Sequence, residues 1–320
     1  MRKTFSALAV ATLMALPGLS AAPAQAQVVT LGSTATGGTS QIGRSIAAAV
    51  SEYSPLQMRP QEMANTADYM PLVNIGEIDF GISNVVQLWY AHHGLGMSAG
   101  TPMGELRNVA SLMPFRAGFI VPADSDVRSI EDLAGMRVPG FAEGTLGYHV
   151  TLAYLANGGL TYDDVVEVPV PNFPRMWDSF REGSTDVTIV VVGSATNIEL
   201  DQTLDGVRFI SFTDDEERLE AMQEWLPQMY FAEVGADEGI PGIDEPTNIK
   251  VYDYTLFAPA SLSDDLVYEV TKSLYENEEL LLGTSPVWTG FTAEGMARDV
   301  DVPFHPGAIR FYEEAGAWNR

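Results

Sequence analysis

Two hydroxyl- and glycine-rich turns carry the side chains best suited to chemistry in this sequence. The first is Thr36-Gly37-Gly38-Thr39-Ser40 and the second is Glu143-Gly144-Thr145-Leu146-Gly147. Each is followed by a Gly-x-x-Asp motif that runs into an apolar stretch, Gly76-Glu77-Ile78-Asp79 and Gly183-Ser184-Thr185-Asp186. Thr39 and Gly76 are 37 positions apart, and Thr145 and Gly183 are 38 apart. A glycine turn that opens a helix presents backbone N–H groups with no intrahelical partner and a partial positive charge, which suits a small anion. Two such ends facing one another would make a trap for a small ligand.

Further polar groups fall at the ends of expected strands. Asn65-Thr66 and Ser83-Asn84 suit hydrogen bonding to a carboxylate, amide or hydroxyl, or simply cap their helices. Gly193-Ser194 ends a β-branched run. Arg116 and Arg175 could clamp a carboxylate bidentately, or pair with one of the many surface acids. Glu143 is either solvated or a partner for a ligand amine. Phe141, Phe173, Trp177 and Tyr254 are candidate walls, with core packing as the ordinary alternative.

Enzyme chemistry finds little support. There is no Gly-x-Ser-x-Gly elbow, no phosphate loop ending in Gly-Lys-Ser/Thr and no Gly-x-Gly-x-x-Gly fingerprint. The chain has no cysteine, which excludes thiol catalysis and thiolate metal sites. Of its 4 histidines, His92 and His93 are adjacent and would point about 100° apart on a helix, while His149 and His305 stand alone. No metal site and no cofactor is expected.

The elements that must position these residues alternate between strand and helix. Val28 to Gly32, Met58 to Met63 and Phe80 to Ser83 read as strands, with helices over Gln41 to Tyr53, Thr66 to Ile75 and from Asn84 to His92. Val109 to Pro114 and Gly118 to Pro122 read as consecutive strands. The second half repeats the alternation: strands at 136–139, 165–170, 187–192 and 207–212, helices at 147–157, 174–181, 197–204 and 214–225, and a loop through Gly235 to Pro246. Lys250 to Phe257 returns as a strand, and a long helix over 264–282 starts at Ser263. A last helix lies near 306–317. This order predicts an α/β protein of two lobes, each a mainly parallel sheet flanked by helices.

Arg2 and Lys3, the apolar run from Phe5 to Leu19 and Ala24-Gln25-Ala26 form the three parts of a secretory signal peptide over residues 1–26. The chain of 320 residues holds 43 acids and 17 bases, a formal net charge of −26, and loss of Arg2 and Lys3 deepens it. Such a surface repels nucleic acid and anionic lipid. An apolar fraction of 46% supplies a core without disulfides. The expected product is exported and periplasmic, with no membrane segment after signal cleavage.

Taken in order, the motifs resemble a known family. They are Gly32-Ser33 with Thr36-Gly37-Gly38-Thr39, Gly76-Glu77-Ile78-Asp79-Phe80-Gly81 with Ser83-Asn84, Ser129-Ile130-Glu131-Asp132-Leu133-Ala134-Gly135, Gly144-Thr145, Gly159-Leu160-Thr161-Tyr162-Asp163-Asp164 and the helix from Leu266 to Asn277. From Val28 to Leu282 the chain is similar to type II periplasmic binding proteins, and more narrowly to the TAXI-family solute receptors of TRAP transporters. Ser40-Gln41-Ile42 stand where that family often has aromatic residues. Ala142-Glu143-Gly144-Thr145 replace a Gly-Ser-Gly-Thr-like turn. The resemblance implies a hinge-bending receptor for a small carboxylate or amino acid, such as 2-oxoglutarate or glutamate, that hands its solute to an ion-gradient-driven TRAP permease. The expected division is lobe I over 27–114 and 253–320, and lobe II over 115–252. A sensor module for a membrane kinase and a secreted two-lobe hydrolase are the alternatives.

Overall fold

The computed structural model describes residues 26–318. The expected signal peptide therefore lies outside the described residues, apart from Ala26. The elements, in chain order, begin with β1 (Gln27–Thr34), α1 (Gly37–Tyr53), β2 (Leu56–Met63), α2 (Thr66–Asn74), β3 (Phe80–Asn84), α3 (Val85–His93) and β4 (Leu106–Pro122). They continue with β5 (Arg137–Gly140), α4 (Leu146–Asn157), β6 (Val166–Pro169), α5 (Phe173–Arg181), β7 (Thr188–Val191), α6 (Ala195–Thr203), β8 (Val207–Phe209), α7 (Glu216–Gln223) and β9 (Tyr230–Val234). The last are β10 (Thr247–Pro259), α8 (Asp264–Tyr275), α9 (Glu278–Thr284) and α10 (Pro306–Glu314).

The fold is α/β with two domains and a mixed sheet. Parallel pairing joins β2-β1-β3 and, separately, β5-β6. The rest is antiparallel and is organised by two long strands, β4 and β10, which pair with each other. The C-terminal half of β10 borders β3, and its N-terminal half borders β9. The far end of β4 borders β7 and β8. One ribbon thus runs from the β1–β3 sheet to the β7–β8 side.

The repeated Gly-x-x-Asp motifs have equivalent jobs. The Asp79 carboxylate accepts the Thr30 backbone N–H at 2.7 Å and the Thr30 hydroxyl at 2.8 Å. The Asp186 carboxylate accepts the Arg137 backbone N–H at 2.8 Å. Each aspartate ties the strand that follows it to the strand that opens its own unit, 49 residues earlier in both cases. Gly76 and Gly183 precede them with φ of 78° and 68°. Only a residue without Cβ takes that left-handed turn at little cost.

Three elements differ from the sequence reading. The strands expected at 109–114 and 118–122 are one strand, because β10 pairs along it from Leu106 to Ala117 and β7 and β8 carry the pairing on to Pro122. Pro114 has no N–H to give, and the β10 register slips beside it, between Asp253 and Thr255. Strand β9 falls between the helix expected at 214–225 and the loop through Gly235 to Pro246, where no strand was expected, because its alternation is too weak to register in the sequence. The helix expected over 264–282 is two, because Asn277 leaves helical geometry at φ −126°, ψ 40°. Its side-chain amide donates to the Ser273 carbonyl at 2.8 Å, competing with the backbone ladder. Ser263 holds the N-cap position of α8 without a side-chain cap bond.

Candidate functional site

The starts of five helices meet around one cavity of about 260 Å³. They are Thr36–Thr39 of α1, Asn65–Ala67 of α2, Asn84 and Gln87 of α3, Thr145–Gly147 of α4, and Phe173, Pro174 and Trp177 of α5. The strands before α1, α2, α3, α4 and α5 all point their carboxyl ends at this hollow, the place where open α/β sheets bind ligands. Four of the helices are capped internally: Asn84 accepts the Gln87 N–H at 2.9 Å, Thr145 that of Tyr148 at 3.3 Å, Asn172 that of Arg175 at 3.0 Å, and at the start of α2 the Asp68 carboxylate accepts the Asn65 N–H at 2.9 Å. Helix α1 has no side-chain cap at Thr36. Its first N–H groups therefore remain for an acceptor in the cavity.

The sheet supplies the floor. Phe115 and Ala117 of β4 and Tyr252 and Tyr254 of β10 line it. The Phe115 ring stacks on Tyr254 at 4.5 Å and on Tyr252 at 5.8 Å. Tyr254 hydroxyl and Thr39 hydroxyl share a hydrogen bond of 2.5 Å. Burial pushes the Tyr154, Tyr252 and Tyr254 phenols above the ordinary tyrosine range, so all three are protonated at neutral pH. Across the cavity stand Phe141, Phe173 and Trp177, with the Trp177 indole N–H donating to the Ile189 carbonyl at 2.8 Å. Among the described residues, no lining side chain carries a formal charge. The site can therefore hold an anion by helix dipoles and neutral donors, with aromatic faces around the rest of the molecule.

Of the residues singled out in the sequence, Thr36, Gly38, Thr39, Asn65, Thr66, Asn84, Gly144 and Thr145 are brought together here. The four aromatic candidates also face the cavity. The others do not line it. Ser40 turns its hydroxyl to the Ala35 carbonyl at 3.2 Å, and Ser83 to the Asn84 carbonyl at 3.0 Å. Gly193 donates its N–H to the Asn197 side chain at 3.1 Å, and Ser194 caps α6. Glu143 is exposed. Arg116 lies between Phe115 and Ala117, and strand alternation sends it to the opposite face, where it pairs with Glu238 at 2.6 Å. Arg175 is exposed and pairs with Asp178 one helical turn on, at 2.9 Å. Among the described residues, no arginine lines the cavity.

The sequence reading missed Phe115, Ala117, Tyr252, Gln87 and the loop residues Met97, Ser98, Thr101 and Met103. The alternation Tyr252-x-Tyr254 was a usable signal for one face of β10. Nothing local marks the 97–103 loop, which reaches the cavity only through the fold. Among the described residues, no group of three or more histidine or acidic side chains is placed to hold a metal, and no helix is long and apolar enough to cross a membrane.

Several solved structures share this architecture at low identity. The periplasmic binding protein BugD is 12% identical, with 91% of this chain and 98% of that chain covered and a TM-score of 0.59. PhnD1 from Prochlorococcus marinus, solved with methylphosphonate, is 9% identical over 78% and 84% of the two chains, with a TM-score of 0.52. The alkanesulfonate-binding protein SsuA from Xanthomonas axonopodis pv. citri, bound to MOPS, is 17% identical over 80% and 76%, with a TM-score of 0.50. These matches show the fold. A family model covers residues 31–316. The chain belongs to the NMT1-like family and has the two-domain fold of periplasmic solute-binding proteins.

Proposed function

We propose that this protein is an exported, periplasmic receptor that captures a small carboxylate-bearing solute and delivers it to an ion-gradient-driven TRAP permease. The observation that carries the reading is the convergence of five helix starts on one cavity whose lining has no charged side chain. Neutral N–H and hydroxyl donors at positive helix ends favour an anion. Among the described residues, no carboxylate lines the cavity to pair an ammonium group. That favours a keto or dicarboxylic acid such as 2-oxoglutarate over an amino acid such as glutamate. The TRAP and TAXI assignment rests on the motif resemblance. The protein acts by binding and release, without catalysis and without a cofactor.

Closure follows from the ribbon of β4 and β10. Residues 27–114 and 253–320 would form one lobe and 115–252 the other. The hinge falls where the β4–β10 register slips beside Pro114 and Asp253. A thermal-shift panel on residues 27–320 tests the ligand class. It should contain dicarboxylates, keto acids, amino acids, alkanesulfonates, alkylphosphonates and sugars. A ligand at a hundred times its dissociation constant adds about 2.7 kcal/mol of stability. Hits among carboxylates support the reading. Hits confined to sulfonates or phosphonates would reassign the anion, and hits confined to sugars would end it. Uptake of the solute by proteoliposomes holding a TRAP permease, dependent on this protein, tests the partner.

A further inference from the structure

The cavity-facing row of β10 continues one step beyond its aromatic pair. Lys250, Tyr252 and Tyr254 alternate along the strand and share a face. Lys250 is in register with Ala117, and Tyr252 with Phe115. Ala117, Phe115, Tyr252 and Tyr254 all line the cavity. Lys250 is completely buried, and its amine has no hydrogen-bond partner. The Nζ atom lies over the Tyr252 ring, 3.3 Å from its centroid, and 5.8 Å from the centroid of Tyr154 on α4. Both rings are part of the cavity wall.

A lysine is almost never buried without a partner. The titratable groups that face this one are the phenols of Tyr154 and Tyr252. The neighbouring strands place Ala117 of β4 and Phe231 of β9 beside it. Burial alone holds its pKa well below the ordinary lysine value, with no neighbouring charge contributing. The arginines considered for the site are already paired, Arg116 with Glu238 and Arg175 with Asp178.

We infer that Lys250 supplies the counter-charge of the ligand site, taking up one proton from solvent as an anion enters beyond the Tyr252 ring. The inference rests on the anion-receptor reading above. In the empty cavity a charged amine would face only ring carbons and phenols. An anion in the cavity attracts the protonated form through a medium of low dielectric, and the Tyr252 face stabilises the cation by its quadrupole. The proton comes from solvent, so the site gains +1 charge as the anion brings its own. Carboxylate ligands are fully ionised near neutral pH, so the proton taken up belongs to the protein.

The test uses residues 27–320 in weakly buffered solution with a pH indicator, near about pH 7. Succinate, 2-oxoglutarate and L-glutamate are added singly, with affinity measured in parallel across pH. The expected result is net proton uptake approaching one per bound ligand, with affinity falling by up to about tenfold per pH unit. Lys250→Met, apolar and similar in shape, should lose the uptake and the pH slope and bind about tenfold more weakly. Binding without proton uptake, or with the same pH slope in Lys250→Met, overturns this inference and leaves the anion receptor standing. If no carboxylate binds the wild type, the carboxylate reading fails and this inference falls with it. Should Lys250→Met not fold, the proton count of the wild type still decides.

Discussion

Gln41 and Ala195 meet beside the cavity although 154 residues separate them in the chain. The Gln41 side-chain oxygen accepts the Ala195 N–H at 3.0 Å, at the first residue of α6. The amide nitrogen of the same side chain donates to the Ser285 hydroxyl at 3.2 Å. One glutamine on α1 thus joins helix α6 to the loop after α9. If closure brings α1 and α6 together, Gln41→Ala should weaken solute binding by roughly tenfold, which is about 1.4 kcal/mol, while lowering the unfolding free energy by at most about 1 kcal/mol. Titration calorimetry alongside urea unfolding checks both. Unchanged affinity would remove Gln41 from the closing interaction.

Thr39 and Thr145 follow the glycines of the two turns, and each makes a bond that positions its helix start. Thr39 bonds the Tyr254 hydroxyl at 2.5 Å, and Thr145 accepts the Tyr148 N–H at 3.3 Å. Thr39→Ala and Thr145→Ala should each weaken binding by about 1 kcal/mol or more without unfolding the chain. Circular dichroism and calorimetry together read this. Wild-type affinity in both variants would reject the two-turn site.

Gly37 has φ of 80°, and a Cβ there would sit 2.7 Å from the Trp177 ring. Gly37→Ala therefore meets both backbone strain and an aromatic wall. We expect a loss of about 1–3 kcal/mol in stability and loss of detectable solute binding. Gly144→Ala is the control. Its φ is 79° but a Cβ there meets nothing within 4 Å, so it should carry the strain and retain much of the binding.

Lys250 also makes stability depend on pH. The unfolded chain holds its proton up to about pH 10.4, whereas burial makes the folded chain release it earlier. Between those two values the unfolded state binds more protons, so the stability of the folded state rises with pH across that window. Lys250→Met removes the effect. The variant should be more stable than wild type by about 1–3 kcal/mol at neutral pH, and the gap should close toward about pH 10.4. Chemical unfolding at a series of pH values measures it. A gap that does not change with pH would contradict a buried neutral amine.

The two-unit architecture was readable from local signals. Periods of two and 3.6 mark the strands and helices, glycine turns mark helix starts, and the matched motifs ending in Asp79 and Asp186 mark the repeat. The place of Thr36, Gly38, Thr39, Gly144 and Thr145 in the cavity lining was legible for the same reason, since a helix that follows a parallel strand must begin at the strand's carboxyl end. The break at Asn277 and strand β9 were less legible, because a single side-chain bond and a neighbouring strand outweighed weak local preferences.

Which side chains face the cavity was settled only by long-range pairing. Arg116 and Phe115 are neighbours in the chain, yet one meets Glu238 and the other the cavity, and the choice follows from the register of β4 against β10. A shift of one residue would exchange them. The same register places Lys250 opposite Ala117 and beneath Tyr252. The sequence determined the kinds of groups at the helix ends, because turn and capping chemistry is local. The fold alone determined the aromatic floor and its buried amine, because strand parity is set by partners more than a hundred residues away.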